Sequence, residues 1–397
     1  MIKQTNNAPH IWLIAGEPSG DLIGARLMNA LKRLTEGQVR LSGIGGESMR
    51  EEGLCSLFPI SDIALMGLVE ILPRLHVIRK RIHETVAQIV VDQPDVVVSI
   101  DAPGFCYDVW KGLRKTNIPL IHYVAPSVWA WRPDRAKKFA AELDHLLALL
   151  PFEPQYFLRE GLRTTFVGHP VIEIAADRGN GLKFRSEYSI SLKATVICVL
   201  PGSRRGEITK LLKIFKIAAQ IIVKEIPDAV FLFPTVSYMK SIVMRKTSDW
   251  PNRVIILETV NEKFDAMAAS NIAMAASGTV SLELGIAGVP HVIAYKMNML
   301  TVLIFRALHG VKQKYANLVN ILLDKEIVPE LITDKCRSDL IADKLLSLVQ
   351  NEGEAQTQID EIQSALKILT PLEGSPSEVS AKVVLSVLNE KGENKNE

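Results

Sequence analysis

A Ser277-Gly278-Thr279 turn stands between a short apolar run at 272–275 and an apolar-periodic stretch at 280–287. Small residues at that place can cap the helix that follows. The unpaired N–H groups of a helix N-terminus point outward, with the positive end of the macrodipole behind them, and suit phosphate. Glu283 lies four residues into the helix. A carboxylate accepts hydrogen bonds and donates none, so one turn from the tip it can take the two neighbouring hydroxyls of a ribose. An ordinary buried crossover with a satisfied helix-face Glu would look the same in isolation.

A second turn of this kind, Pro201-Gly202-Ser203-Arg204, follows the apolar run 195–200 and opens another helix. The planar donors of Arg204 would match a diphosphate there. Acidic groups gather in the first half instead. Glu17, Ser19 and Asp21 lie in a Gly-rich turn after the apolar run 11–15. Asp101 ends the run DVVVSI, and Pro103 and Gly104 follow at once, so its carboxylate sits on a turn. Carboxylates in such turns are solvated, used in chemistry or spent on capping. Ser19 or Asp21 capping its own helix is the bland alternative. Trp129 and Trp131, two of five tryptophans, share one loop with Arg132. That mixture suits a ligand with apolar and anionic parts.

These residues need a scaffold that delivers turns to one edge. Apolar runs at 11–15, 41–44, 95–100, 118–124, 146–150 and 165–167 alternate with helical stretches and predict a doubly wound parallel sheet. A second series at 195–200, 229–234, 254–258, 272–275 and 291–295 predicts another. The expected fold class is α/β, with two doubly wound Rossmann-like domains whose crevices face one another across a cleft. The expected division is 1–172 for an N-terminal domain and 173–374 for a C-terminal one, with a polar hinge over 173–194. Residues 375–397 form a helix and tail that could pack back on the N-terminal domain. Gly16, Gly20 and Gly24 are spaced G-x3-G-x3-G, so the G-x-G-x-x-G fingerprint of dinucleotide cofactors is absent.

Bulk properties agree with two folded domains. The chain has 397 residues, is 48% hydrophobic and 23% charged, and carries a formal net charge of +2. So even a balance argues against wholesale nucleic-acid binding. Cys55, Cys106, Cys198 and Cys336 are far apart, in no metal or redox spacing, and read as free thiols, largely buried, in a reducing compartment. No Asp-x-Asp cluster lies in the second half, so no metal and no cofactor are expected. The N-terminus lacks the apolar core of a signal peptide and no uncharged apolar run reaches the length of a membrane span, so a cytoplasmic protein is expected.

One segment is unusual. Residues 63–84, IALMGLVEILPRLHVIRKRIHE, carry more large apolar side chains than one buried stripe needs, Met66, Val69 and Leu72 among them, and then turn basic. From Arg74 to Lys138 there are 11 Lys/Arg against 6 Asp/Glu, so the first half is locally basic. A core helix with a solvated basic end is the ordinary reading. A helix lying on anionic lipid, or gripping an acyl chain, is the other.

GEPSGD, IDAPGF, HYVAPSVWAWR, LPGSR and ASGTVSLELGIAGVP, in this order and spacing, resemble the lipid-A-disaccharide synthase family, and the similarity runs from residue 11 to 331. The resemblance implies a GT-B glycosyltransferase fold. It implies an inverting transfer from UDP-2,3-diacylglucosamine to 2,3-diacylglucosamine 1-phosphate, giving a β-1,6-linked disaccharide 1-phosphate and UDP. On that reading Asp101 is the base for the acceptor hydroxyl, with Glu17 or Asp21 in reserve. Gly202, Ser203, Arg204, Ser277, Gly278, Thr279, Glu283 and Asn320 bind the nucleotide. Ser19, His122, Ser127, Trp129, Trp131, Arg132, Met66, Val69 and Leu72 lie on the acceptor and lipid side. Substrates of this kind favour the lipid reading of 63–81, and with it peripheral association with the inner face of the cytoplasmic membrane. The partners implied are the two acylated sugars and an anionic membrane surface, without nucleic acid; a homodimer stays open. Three positions depart from the family pattern. Pro18 replaces a common Ala or Thr, Gly104 replaces a common Asp, and Val319-Asn320-Ile321-Leu322 replaces Pro-Asn-Leu-Leu. UDP-sugar 2-epimerases share the architecture and the Glu-bearing helix and form the alternative, but they give no reason for a Trp-rich loop or a broad apolar helix.

Overall fold

The computed structural model describes residues 8–64, 75–129, 134–296 and 314–394. The chain divides into two compact units, Met1–Pro170 joined by Leu369–Glu397, and Val171–Ile368. In the first, β1 (His10–Ala15), β2 (Arg40–Ile44), β3 (Val96–Ile100), β4 (Leu120–Tyr123), β5 (His145–Ala148) and β6 (Arg163–Phe166) form a sheet in the order β2-β1-β3-β4-β5-β6. Every pairing is parallel. Helices cover both faces of such a sheet, so its strands must be apolar along their whole length. HIWLIA in β1 and VVVSI in β3 are buried at every position. The chain reverses its direction of travel across the sheet between β1 and β3, where Ala15 lies in register with Ile100. The turns after these two strands therefore leave the carboxyl edge side by side.

The second unit holds β7 (Val196–Leu200), β8 (Val230–Pro234), β9 (Val254–Leu257), β10 (Ile272–Ala276), β11 (His291–Tyr295) and β12 (Glu330–Ile332) in the order β12-β11-β10-β7-β8-β9, again all parallel. This is the strand order of dinucleotide-binding domains, reached without their glycine fingerprint. The reversal falls between β7 and β10, with Leu200 beside Ala275.

The polar stretch 173–194, read as a hinge, lies within the second unit. Gly181–Glu187 is a helix capped by the Asn180 side chain, and Phe184, Ile190 and Ala194 are buried in that unit's core. Its polarity is that of short turns around one amphipathic helix. The helix Pro376–Asn394 belongs to the first unit, where Ala381, Val384 and Val387 share a core with Leu27 and Leu31. Cys106, Cys198 and Cys336 are buried free thiols, and Cys55 is exposed.

Met66, Val69 and Leu72 lie outside the described residues, as do Trp131 and Arg132. The helix Leu75–Asp92 follows, with Thr85 and Ile89 buried and Val90 and Val91 exposed. Part of its basic end is already committed. Arg81 pairs with Asp62 and Glu84 and lies over the Phe58 ring, 4.6 Å from its centroid. Among the described residues no helix is long and apolar enough to cross a membrane.

Candidate functional site

At the switch point of the first sheet, β1 passes through Gly16 and Glu17 into the helix Pro18–Leu34, and β3 passes through Asp101 and Ala102 into the helix Pro103–Leu113. Proline at the first position starts each helix without wasting an N–H. Asp101 (φ 56°) and Ala102 (φ 46°) are both left-handed, at a cost of roughly 1–2 kcal/mol per residue. Such a turn persists only where its surroundings hold it. The Asp101 N–H donates to the Tyr123 carbonyl at 3.0 Å and the Cys106 N–H to the Ala102 carbonyl at 3.1 Å. Gly16 makes the room, since a Cβ there would sit 2.1 Å from that of Ala102. The Asp101 carboxylate is thereby fixed in orientation. Its Oδ1 accepts from the Ala102 N–H at 2.8 Å and its Oδ2 from the Ser19 hydroxyl at 3.2 Å. Glu17, in extended conformation at the N-cap, stands beside Pro18 at the same edge.

Asp21 has a different employment. It is 5% exposed, and it accepts from the N–H groups of Gly46 at 2.7 Å, Ser48 at 2.9 Å and Met49 at 3.1 Å. It caps the helix Glu47–Glu51 and not its own. Both of its oxygens are engaged by the backbone of residues 46–49, a structural employment that corrects its reserve role as a base. His122 is also corrected. It is fully buried on β4, with Nδ1 2.9 Å from the Ser99 hydroxyl and its ring edge-on to Trp110 and Phe139. It is a core residue out of reach of any acceptor. Ser127 is exposed, and the Trp129 indole donates to Glu153 at 3.2 Å.

The switch point of the second sheet opens into a cavity of about 460 Å³. The turn after β7 supplies Gly202, Ser203 and Arg204, and the turn after β10 supplies Ser277, Gly278 and Thr279. Gly202 (φ 99°) and Gly278 (φ 151°) occupy backbone conformations that disfavour side chains. The 21-residue helix Arg205–Glu225 begins here, with Arg204 as a non-capping N-cap residue. Its first N–H groups and positive dipole end belong to this wall. The Arg204 guanidinium lies 3.3 Å from Glu207, an exposed pair. Thr279 is the N-cap of Val280–Ile286 but makes no side-chain cap hydrogen bond, unlike the capping expected of that turn.

Glu283 lines the same cavity, with its side chain 12% exposed, and is ion-paired with Lys263. The Lys263 ammonium lies close against Oε2, and an ionised carboxylate has further lone pairs to offer. The carboxylate thus has its counter-charge beside it and retains acceptor capacity. Sequence reading missed Lys263. It sits in Val260-Asn261-Glu262-Lys263, an ordinary first helical turn, and only the placing of β8 and β9 next to β7 brings it to the site.

Asn320 requires correction as a nucleotide ligand. It is fully buried. Its amide donates to the Val328 carbonyl and to Glu330, both at 2.8 Å, and its oxygen accepts from the N–H groups of Ile327 and Val328. Two donors and two lone pairs are all consumed in stapling its own loop. The Val319 departure gains a bond there, since its N–H donates to the Asn317 side chain at 2.8 Å. Proline could not do so.

Buried imidazoles in both units set a pH response, His122 and His291 among them. Burial pushes His122 down to about 3 and His291 down to about 4. His291 Nδ1 lies 2.9 Å from the Val289 carbonyl and Nε2 2.7 Å from the Ser281 hydroxyl. Both folded values lie below the unfolded one, so the stability they carry is complete above pH 6.5 and is lost as pH falls. Glu153 runs the other way. Burial pushes it up to about 7, so its contribution is complete at low pH and is lost as pH rises through 7. Between pH 7 and 5.5 each histidine should cost about 1 kcal/mol, and Glu153 should return a little more than that. Hydrogen-exchange free energies in β11 should therefore fall by about 1 kcal/mol between pH 7 and 5.5. No fall in β11 would show that His291 titrates in its ordinary range.

Residues 11–384 match the family described as lipid-A-disaccharide synthetase. The lipid-A-disaccharide synthase of Rhodospirillum centenum is 48% identical over 383 residues, covering 96% of this chain and 95% of that one. The enzyme of the same name from Paramagnetospirillum magneticum is 44% identical over 389 residues, covering 97% and 99%. Among solved structures, a UDP-GlcNAc 2-epimerase from Neisseria meningitidis bound to UDP-GlcNAc matches with a TM-score of 0.62 at 11% identity, over 96% of this chain and 100% of that one. The glycotransferase of kitacinnamycin matches with a TM-score of 0.65 at 15% identity, over 96% and 99%. Likeness at such low identity speaks for the fold, which glycosyltransferases and epimerases share, and leaves the epimerase alternative with architecture alone. The sequence match instead runs through every turn described above, from Glu17 to Asn320, and the chain belongs to the lipid-A-disaccharide synthase family of glycosyltransferases.

Proposed function

We propose that the second unit holds the UDP-linked diacylglucosamine and that the first unit holds the diacylglucosamine 1-phosphate acceptor. One observation carries the donor half. The cavity at the second switch point joins the N-terminus of a long helix and the Arg204 cation to a carboxylate, Glu283, with acceptor capacity to spare. The diphosphate meets the Gly202–Arg204 and Ser277–Thr279 turns, and the ribose hydroxyls donate to Glu283. On the acceptor side, Asp101 takes the proton of the 6-hydroxyl as its oxygen attacks the anomeric carbon. The bond from that carbon to the diphosphate oxygen breaks on the opposite face, and UDP leaves with the electron pair. Arg204 and the two turns stabilise the charge that grows on the leaving group.

The same reading has the enzyme work at an anionic membrane surface, with the exposed Val90 and Val91 and the basic stretch around Arg79 and Lys80 as the described part of the contact. The oligomeric state stays open in this reading, and sedimentation at assay concentrations decides between monomer and homodimer. The reaction itself is tested by supplying UDP-2,3-diacylglucosamine with and without 2,3-diacylglucosamine 1-phosphate. Release of UDP and formation of a disaccharide should require both. Conversion of the donor sugar in the absence of acceptor would favour epimerisation.

A further inference from the structure

We infer that Glu153 is a positioning residue for the acceptor, its carboxylate tying the loop after β4 to the end of β5 through the indole of Trp129. The inference rests on the assignment of the acceptor to the first unit. Glu153 is 3% exposed and receives three N–H groups. The backbone N–H groups of Leu149 and Leu150 donate to Oε2 at 3.1 and 3.0 Å, and Trp129 Nε1 donates to Oε1 at 3.2 Å. One oxygen closes the turn in which Glu153 lies, and the other is given to a different loop. The preceding residue, Phe152, packs edge-on against the same indole, with centroids 5.2 Å apart. A polar and an apolar contact from consecutive residues thus fix both the position and the plane of Trp129.

The two loops leave the sheet as neighbours. Tyr123 of β4 lies in register with Leu147 of β5, and the Val124 N–H donates to the Leu147 carbonyl at 3.1 Å. Val124 is left-handed (φ 86°). A β-branched residue resists that conformation, so this loop is held from outside. The Tyr123 carbonyl also accepts the Asp101 N–H. The strand end from which the Trp129 loop departs is therefore the one that supports the Asp101 turn. Loosening Trp129 should disturb how the acceptor is presented and leave the UDP cavity of the other unit alone.

Glu153→Gln and Trp129→Phe test this. An amide oxygen can serve at most two of the three donors and its NH₂ repels the third. Phenylalanine removes only the indole donor and leaves the backbone bonds of Glu153 in place. Each variant should raise the acceptor KM about tenfold, with kcat within about threefold and UDP affinity within about twofold of the parent. The double variant should be no worse than the poorer single one, because both break one bond. The indole N–H resonance that disappears in Trp129→Phe should shift in Glu153→Gln. Normal constants for both substrates in Trp129→Phe would overturn the inference alone, and that variant decides the matter if Glu153→Gln does not fold. A rise confined to the donor KM would overturn the acceptor assignment and the inference with it.

Discussion

Asp101→Asn should lower turnover by about 100-fold or more while UDP binding stays within about twofold. The substitution is close to the minimum that tests a base. Asparagine tolerates the left-handed backbone at φ 56° about as well as aspartate. Its amide oxygen can still accept from the Ala102 N–H, and the Ser19 hydroxyl can rotate to accept from the new NH₂. The turn should therefore survive, and the loss should fall on proton transfer. Single-turnover release of UDP with both substrates saturating measures the chemical step, and calorimetry with UDP measures the donor site. A near-normal rate would move the base to Glu17. Asp21 does not take the role, since its carboxylate is committed to the helix at Glu47–Glu51.

How much of this was legible in the sequence depends on how local each feature is. Buried parallel strands are continuous apolar runs, so eleven of the twelve strands among the described residues showed themselves to within a residue or two. The exception, Glu330–Ile332, is a three-residue edge strand next to Pro329, too short for any period and open to reading as a turn. The two switch points follow from strand order, and that order was not legible, since both units begin with a Gly-rich turn yet their sheets are ordered differently. Asp101 was legible because a charged residue ended an apolar run. Functions that depend on distant partners were not. Asp21 looked like a member of the acidic turn, and the three N–H groups it binds come from residues 46–49. His122 and Asn320 sit in distinctive motifs, yet both are distinctive for packing. One fills a core beside Trp110 and the other staples a loop. Lys263 and Glu153 lie in unremarkable local sequence, and their meaning comes from Glu283 and Trp129, each some twenty residues away. A hydrophobic pattern reports which face is buried and says little about which buried polar groups meet.

Glu283→Ala should weaken UDP binding by roughly 1–3 kcal/mol, or about 5- to 150-fold. The cost has one source and one partial offset. Alanine removes the acceptor for the ribose hydroxyls, which then lose their water without a replacement bond. It also frees Lys263, whose side chain is 28% exposed at the cavity wall. An ammonium released from its carboxylate raises the positive potential near the diphosphate, and so the lower part of the range applies if Lys263 can swing toward it. Lys263→Met in both backgrounds separates the two effects. In the parent it should weaken UDP binding modestly, and in Glu283→Ala it should remove the compensation and take the affinity lower still. The sugar contact has its own signature. The parent should prefer UDP to 2′-deoxy-UDP, and Glu283→Ala should bind the two about equally, because the carboxylate that told them apart is gone. Calorimetry with both nucleotides measures this directly. Parental affinity for UDP in a folded Glu283→Ala protein would place Glu283 among the structural residues of its helix and leave the ribose to the backbone of the surrounding turns.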